Sequence, residues 1–244
     1  MGMLGSLRRI AERLTGTRIL RHLPRGIDVF YDLAHAFPQY RLRTIFDVGS
    51  NVGQSADRFL ARAPEAELYC FEPITASYRM LAEAYEKNPR VHCFQLAFGA
   101  DAGRGTMSSE GTLRVNRLLP DNAVSEAATE EVRVEMLDGF CRQQAIEHID
   151  YLKIDAEGSD LKVLEGGASM LAERAVDVVE VEAGMHPDNH DHVPLEQLKG
   201  HLELRGYYLL ALYEQVPEQE RRATRLRRSN AVFLSQSLMT RYSQ

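Results

Sequence analysis

Short apolar runs alternate with amphipathic segments along most of this chain. The runs are rich in β-branched and aromatic residues and have the length of strands, whereas the segments between them repeat apolar residues three and four positions apart, as helices do. Strands are predicted at residues 44–47, 68–71, 91–97, 132–136, 149–155, 176–182, 207–213 and 230–235. Helices are predicted at residues 53–60, 77–87, 160–171 and 194–205, with a short one from Leu137.

This alternation predicts an α/β domain over residues 44–244, with a mostly parallel sheet covered by helices on both faces. The last two strands, 207–213 and 230–235, are joined without a helix, so one of them is expected to run antiparallel at or near the sheet edge. Residues 99–130 are rich in Gly, Ser, Asn and Asp. They predict an irregular insertion or hairpin that folds over a site.

The first 43 residues differ from the rest and predict an N-terminal helical arm, residues 1–43. A second short helical pattern at residues 27–37 follows a break at Pro24 and Gly26. One interpretation of the arm is a basic amphipathic helix that makes peripheral contact with a membrane, and the other is a helix packed on the domain with its arginines in solvent. Its apolar and basic residues are Leu7, Arg8, Arg9, Ile10, Arg13, Leu14, Arg18, Ile19, Leu20 and Arg21.

Composition narrows the class of protein. The 244 residues suffice for one large domain with an added arm, and the net charge of −6 argues against general nucleic-acid binding. No apolar run is long enough to cross a bilayer, and the N-terminus lacks the pattern of a signal peptide. Cys70, Cys93 and Cys141 fall in or beside probable core segments and are interpreted as reduced thiols, which predicts a cytoplasmic location.

The loop between the first strand and the first helix, within residues 46–54, carries the clearest functional signal. Gly49 and Gly53 bracket a tight turn at a helix N-terminus, where backbone N–H groups can approach a nucleotide-like ligand. Asp47 precedes the first glycine by two residues and no third glycine follows, unlike the G-x-G-x-x-G loop that holds a pyrophosphate. An acid at that position repels a pyrophosphate but suits an amino group and a sulfonium, so the loop favours S-adenosylmethionine.

Acids end most of the predicted parallel strands, where ligands bind in open α/β sheets. Glu72 ends the second strand, the position from which a carboxylate accepts both hydroxyls of a ribose. A nicotinamide cofactor would use the same acid, so a nicotinamide-dependent oxidoreductase is an alternative, as is a non-catalytic binding module on the same fold. The candidate cofactor-binding residues are Asp47, Gly49, Ser50, Asn51, Gly53, Gln54, Glu72, Pro73, Ala97 and Asp155.

Three motifs together resemble the FkbM family of methyltransferases. They are residues 46–54, Phe71-Glu72-Pro73, and Tyr151-Leu152-Lys153-Ile154-Asp155-Ala156-Glu157-Gly158 followed by Val163-Leu164-Glu165-Gly166. The resemblance runs from about Gly26 to Ser235. It implies a class I S-adenosylmethionine-dependent fold, Rossmann-like and doubly wound with a seven-stranded sheet. It also implies an O-methyltransferase whose acceptor is a hydroxyl of a sugar, glycoconjugate or related natural product. Ser50 and Asp160 depart mildly from the family pattern.

A sugar hydroxyl is a poor nucleophile at neutral pH, so a general base or a metal ion should assist its methylation. Asp155 at a strand end, Glu157 in the turn after it and Glu182 at the next strand end are expected to converge. The candidate catalytic residues are Asp155, Glu157 and His186. Asp155 and Glu182 are the candidate ligands of one Mg²⁺, a hard cation that prefers oxygen.

Three further features leave alternatives open. The loop after Glu182 is interpreted as a metal loop, as the site of an acceptor-facing base at His186, or as a hydrophilic loop; His186 is preferred because it is nearest in sequence to Glu182. Lys153 is placed on the sheet face opposite Asp155, where it either pairs with an acid or takes part in catalysis. The basic cluster at residues 221–228 either is solvated or contacts a phosphorylated or lipid-linked acceptor. The expected partner is a small-molecule or glycan acceptor, and oligomerisation is left open.

Overall fold

The computed structural model describes residues 12–17, 22–108, 129–218 and 225–242. Its strands are β1 (Thr44–Val48), β2 (Glu67–Phe71), β3 (Val91–Phe94), β4 (Ala97–Phe98), β5 (Gly103–Ser108), β6 (Thr129–Glu135), β7 (Ile149–Ile154), β8 (Val176–Gly184), β9 (Tyr207–Pro217) and β10 (Leu226–Ser235). Its helices are α1 (Val29–Ala36), α2 (Gln54–Arg62), α3 (Thr75–Tyr85), α4 (Leu137–Gln143), α5 (Asp160–Gly166), α6 (Ala168–Ala172), α7 (Leu195–Glu203) and α8 (Gln236–Tyr242). Residues 12–15 form a helical turn ahead of α1.

A central sheet of seven strands organises the chain, in the order β3-β2-β1-β7-β8-β10-β9. Within this described sheet, β10 pairs antiparallel with both of its neighbours, and all the other pairs are parallel. Since β9 lies at the edge, the antiparallel strand is next to the edge. The predicted doubly wound, mostly parallel, seven-stranded sheet is therefore confirmed.

Both faces of the sheet are covered, because its central strands are apolar on both sides. Every residue of β7 and β8 is buried, as expected for parallel strands between two helical layers. Successive residues of β1 point to opposite faces: Phe46 packs in one core cluster with Phe140 of α4, and Ile45 packs in the other with Tyr151 and Phe59. The sheet is therefore packed on both faces, and this packing fixes the positions of the residues at its strand ends.

Helix α1 packs on the sheet face that carries Tyr151. Val29 and Leu33 are buried in the same core cluster as that tyrosine. The rest of the predicted arm, residues 1–11 and 18–21, lies outside the described residues, and the predicted membrane contact falls largely on those positions. Among the helices that the structure describes, none has the length and apolar character to span a bilayer. The division of the chain after residue 43 stays a prediction.

The irregular region is built on a second sheet of three strands, in the order β4-β6-β5. The predicted strand at residues 91–97 is wrong in its last part, because β3 ends at Phe94 and Ala97 pairs with Val134 of β6 instead. Strands β5 and β6 are antiparallel neighbours, as the predicted hairpin requires. The segment between them, residues 109–128, lies outside the described residues, as do the β-like pieces expected there.

Two helices differ from the predictions. The helix expected at residues 160–171 is interrupted at Gly167, where a Cβ would lie 2.7 Å from a methyl group of Leu137. The chain also does not end with β10: helix α8 follows, and its Leu238 is fully buried. The hydroxyl of Ser235 accepts the N–H of Leu238 at 3.1 Å and starts that helix.

The three cysteines are free thiols. Cys70 and Cys141 are buried, and Cys93 is the register partner of Cys70 on the neighbouring strand. The cytoplasmic location inferred from them stays a prediction.

Candidate active site

The loop between β1 and α2 turns sharply because three of its residues have a left-handed backbone: Gly49 (φ 81°), Asn51 (φ 49°) and Gly53 (φ 103°). A Cβ on Gly49 would overlap the carbonyl oxygen of Asp155, so only glycine lets the loop pass the end of β7 this closely. Helix α2 begins directly afterwards at the exposed Gln54. The predicted glycine loop is thus present and lies against a candidate catalytic residue.

Ser50 fastens this loop to β2. Its N–H donates to the carbonyl of Phe71 at 3.0 Å, and its buried hydroxyl donates to the carbonyl of Asp47 at 2.6 Å. The same hydroxyl accepts the N–H of Phe71 at 3.2 Å. These bonds explain why serine is accommodated at this position: it joins the ends of β1 and β2.

Glu72 follows β2 and is buried beside the loop. Its Oε2 accepts the N–H of Asn51 at 3.0 Å, and its Oε1 accepts the N–H of Ile74 at 2.9 Å. Burial raises the pKa of Glu72 to about 7, against the lowering effect of these two hydrogen bonds. Because a carboxylate oxygen can accept two hydrogen bonds, each oxygen keeps a position for a ligand hydroxyl.

The other predicted cofactor residues lie at neighbouring strand ends. Pro73 is buried directly after Glu72, and its carbonyl lies 3.5 Å from the side-chain amide of Gln95. Ala97 is buried and begins β4 shortly after β3 ends. Among the predicted cofactor residues, Asn51 is therefore hydrogen-bonded to Glu72, and Gly49 packs against the carbonyl of Asp155.

A buried charge cluster lies beside the glycine loop. The ammonium of Lys153 is 3.0 Å from Asp155 Oδ2 and 3.8 Å from Asp47 Oδ1. The prediction that Lys153 and Asp155 occupy opposite faces is wrong, because residues two apart on an extended chain share a face. The pairing alternative for Lys153 is the one observed.

Burial and charge set the ionisation of the two aspartates. Burial raises the pKa of Asp47, although Lys153 opposes this effect. Neither carboxylate oxygen of Asp47 has a hydrogen-bond partner among the described residues. Burial also opposes ionisation of Asp155, but the charge and hydrogen bond of Lys153 outweigh it and lower the pKa of Asp155. Asp155 is thus an ionised carboxylate whose side chain keeps 35% exposure.

A second cluster forms at the ends of β7 and β8, where one ligand atom each of Glu157, Glu182 and His192 lies within 4.8 Å of the others. Glu182 Oε2 is 2.8 Å from His192 Nε2. Glu157 reaches the cluster through a turn in which it and Gly158 have φ values of 47° and 89°. Burial raises the pKa of Glu157 to about 7, and the neighbouring charge of Asp155 adds to the effect.

His192, which the sequence did not single out, takes the position expected of His186. The loop after β8 reverses at Asn189, whose Oδ1 accepts the backbone N–H of His192 at 3.2 Å. His192 thereby returns to Glu182, whereas His186 Nε2 lies 2.9 Å from Glu218. Proximity in sequence therefore selected a different histidine from the one that contacts the strand end.

The basic cluster is partly accounted for by ion pairs. Arg228 bonds Glu182 Oε1, and Arg225 lies 2.7 Å from Asp188. Arg221 and Arg222 lie outside the described residues. The described part of the cluster therefore contacts the acidic residues of the site and of the loop after β8.

The sheet order, the single antiparallel strand beside the edge, the glycine loop after β1 and the acid after β2 define a class I methyltransferase fold. The family model of the methyltransferase FkbM domain matches residues 47–208. The chain belongs to the FkbM family of methyltransferases, and the predictions of family and fold are confirmed. Because the chain belongs to a methyltransferase family, the alternative of a nicotinamide-dependent oxidoreductase is rejected.

Two curated relatives are similar over part of the chain. The 2-O-methyltransferase NoeI of Sinorhizobium fredii is 29% identical over 141 residues, which cover 52% of this chain and 58% of that protein. The hexuronic acid methyltransferase AglP of Haloferax volcanii is 25% identical over 146 residues, which cover 59% of this chain and 57% of that protein. The chain thus spans little more than half the length of these relatives.

A solved structure has the same fold. The methyltransferase FkbM from Methylobacillus flagellatus KT superposes with a TM-score of 0.53 at 15% identity, covering 81% of this chain and 45% of that one.

Proposed function

We propose that this chain transfers the methyl group of S-adenosylmethionine to a hydroxyl of a sugar, glycoconjugate or related natural product. Membership of a methyltransferase family supports the reaction. The names of the two relatives, a 2-O-methyltransferase and a hexuronic acid methyltransferase, support a sugar oxygen as the acceptor. When bound, S-adenosylmethionine supplies an electrophilic methyl group on a sulfonium.

The main observation in support of the donor site is that Glu72, after β2, accepts the N–H of Asn51 in the loop after β1. Glu72 holds the ribose hydroxyls, since each of its oxygens keeps an acceptor position. Gly49 keeps the loop close to the strand ends, because it carries no Cβ to force the loop away from β7. Asp47 and Asp155 share the single positive charge of Lys153, so this edge keeps a negative charge that favours a positively charged ligand.

Asp155 orients the acceptor. Lys153 keeps this carboxylate ionised, and its exposed part accepts a hydrogen bond from the acceptor hydroxyl. Such positioning for in-line attack is a large part of what a protein contributes to a methyl transfer. A carboxylate with a lowered pKa is a weak base, however, so the hydroxyl needs a further group to make it acidic.

A transfer assay tests this function. The purified chain is incubated with methyl-labelled S-adenosylmethionine and methyl glycosides of hexuronic acids and neutral hexoses. Mass spectrometry then follows the gain of one methyl group, with S-adenosylhomocysteine formed in equal amount. Asp155→Asn is expected to lower transfer by about 100-fold or more while S-adenosylhomocysteine still binds. Asp101→Asn, in an exposed turn, is the control and should keep full activity.

Two outcomes would contradict the proposal in different ways. Absence of S-adenosylhomocysteine binding in calorimetry would refute the donor site. Binding without transfer to any hydroxyl acceptor would favour a non-catalytic binding module on this fold. Circular dichroism of both variants shows whether a loss of activity reflects a loss of folding.

A further inference from the structure

We propose that Glu157, Glu182 and His192 bind one divalent metal ion at the ends of β7 and β8. Their ligand atoms, two carboxylate oxygens and one imidazole nitrogen, lie within 4.8 Å of one another. Ligand atoms about 2.0–2.2 Å from one ion are themselves about 3–4 Å apart, so the three side chains are already close to the required spacing. Binding of the ion rests on these residues alone, whereas its role in catalysis rests on the proposed function.

The hydrogen bonds around His192 determine which ring nitrogen faces this cluster. Asn189 Oδ1 accepts the backbone N–H groups of Asp191 and His192 at 3.0 and 3.2 Å, so that atom is an acceptor. His192 Nδ1 lies 3.1 Å from the same oxygen and therefore donates its proton to it. The other nitrogen of the neutral ring, Nε2, then presents a lone pair to the cluster.

This tautomer creates an electrostatic problem that a cation resolves. In the neutral ring the lone pair of His192 Nε2 faces Glu182 Oε2 at 2.8 Å, and both atoms are then acceptors. Two acceptors repel at this distance unless a proton or a metal ion lies between them. A metal ion bound by both atoms, and by Glu157, supplies a positive charge and uses the nitrogen in its unprotonated state.

Outer partners hold the proposed ligands from behind, as in established metal sites. Arg228 bonds the far oxygen of Glu182, and Asn189 holds the far nitrogen of His192. Glu182 and His192 are only 4% and 7% exposed. Glu157 is less buried than these two residues, so a water or an acceptor hydroxyl could complete the coordination beside it.

The ligand set selects the class of ion. One imidazole with two carboxylates suits Mn²⁺ or Zn²⁺, whereas Mg²⁺ prefers oxygen ligands alone. The sequence had placed Mg²⁺ on Asp155 and Glu182. The site proposed here differs from that one, because Asp155 is paired with Lys153.

The ion supplies the acidifying group that Asp155 lacks. A hydroxyl oxygen bound to a divalent ion loses its proton more easily, as metal-bound water does. In the transfer step the hydroxyl proton passes to water, a C–O bond forms to the methyl group and the C–S bond of the sulfonium breaks. S-adenosylhomocysteine leaves as a neutral thioether, so the charges balance.

A second group of potential ligands consists of His148, Asp150 and Asp177. We expect this group not to bind a metal ion. Arg241 bonds Asp177 just as Arg228 bonds Glu182, so the two groups differ in their third member. Asp150 accepts two backbone N–H groups at the entry to β1, at 2.9 and 2.8 Å. One ion per chain is therefore the expected stoichiometry.

Titration of the full, chelator-treated chain with Mn²⁺ tests the site, with free Mn²⁺ measured by electron paramagnetic resonance. About one ion should bind per chain, and His192→Gln and Glu157→Gln should each weaken binding by about tenfold or more. His190→Gln is the matched control: it changes an exposed histidine of the same loop outside the cluster and should bind as the wild type does. Zn²⁺ should displace Mn²⁺ at concentrations where Mg²⁺ does not.

Calorimetry with S-adenosylhomocysteine on the same samples separates this site from the donor site. If the donor binds but Mn²⁺ does not, the metal site is refuted and the donor site stands. Mn²⁺ that binds His192→Gln as tightly as the wild type would also refute the proposal and would point to the His148 group. Thermal melts show that each variant is folded, and Glu157→Gln tests the site from a more exposed position.

Discussion

Glu72 provides the sharpest test of the donor site, because pH changes its charge without altering its shape. Burial raises its pKa to about 7. It is therefore about nine-tenths ionised at about pH 8 and about one-tenth ionised at about pH 6. If only the ionised form accepts both ribose hydroxyls, the apparent Kd varies inversely with that fraction. Affinity for S-adenosylhomocysteine should fall about tenfold between these two pH values.

The stability of the free protein should respond to Glu72 with the opposite sign. A carboxyl whose folded pKa lies above its usual value of 4.5 makes the folded state less stable as pH rises from there towards 7. Glu72→Gln removes this pH dependence, so the Tm of the variant should change less than that of the wild type between about pH 6 and about pH 8. The same change should weaken S-adenosylhomocysteine binding by about 10- to 100-fold, the effect of losing a hydrogen bond to a charged group.

Calorimetric titrations with S-adenosylhomocysteine across this pH range measure the effect. Glu72→Gln should flatten the pH profile. Glu67→Gln is the control: it changes a half-exposed carboxylate at the other end of β2, paired with Arg90 and His92, and should keep the slope. An affinity that does not change with pH in the wild type, or an unchanged slope in Glu72→Gln, would refute the role given to Glu72.

Two further predictions concern the framework of the site, and urea unfolding checks both. Gly49→Ala places a Cβ against the carbonyl of Asp155 at a φ of 81° and should lower the free energy of unfolding by about 3 kcal/mol or more, whereas Gly103→Ala, with open space around it, should change it by less than about 1 kcal/mol. Lys153→Met leaves two carboxylates facing each other without their cation and should cost about 3–5 kcal/mol. Lys199→Met removes an exposed helical ion pair and should cost less than about 0.5 kcal/mol. If the two glycine variants, or the two lysine variants, lowered the free energy of unfolding equally, the corresponding prediction would be wrong.

The donor side could be predicted from sequence because its signals are local. The glycines and Asp47 stand within a few residues of one another, and the end of a strand locates Glu72 without knowledge of distant contacts. The alternation of strands and helices was sufficient for the parallel sheet. Ala97 shows where local reasoning fails: an apolar run can leave one sheet and enter another, and only the partner Val134 distinguishes the two cases.

The acceptor side could be predicted only in part, because its contacts depend on how a loop reverses. Glu182 and His192 meet through the turn at Asn189, and the sequence Pro187-Asp188-Asn189 is a turn signal that could have indicated the reversal. The common face of Lys153 and Asp155, by contrast, could have been predicted from strand periodicity, and the prediction of opposite faces applied that periodicity wrongly. The helix after Ser235 had too short an apolar pattern to be recognised.

Asp155 connects the loop of the proposed donor site with the residues of the proposed acceptor site. Its carbonyl lies against Gly49, and its carboxylate pairs with Lys153, which also reaches Asp47 beside the donor loop. Asp155, the residue proposed to orient the acceptor, therefore cannot move without disturbing the donor loop, and close packing leaves little room for adjustment. In-line methyl transfer depends on alignment to a fraction of an ångström, so donor binding and acceptor alignment should be coupled. This coupling gives a physical reason for a lysine, an aspartate and Glu157 to stand at alternate positions of one strand and its turn.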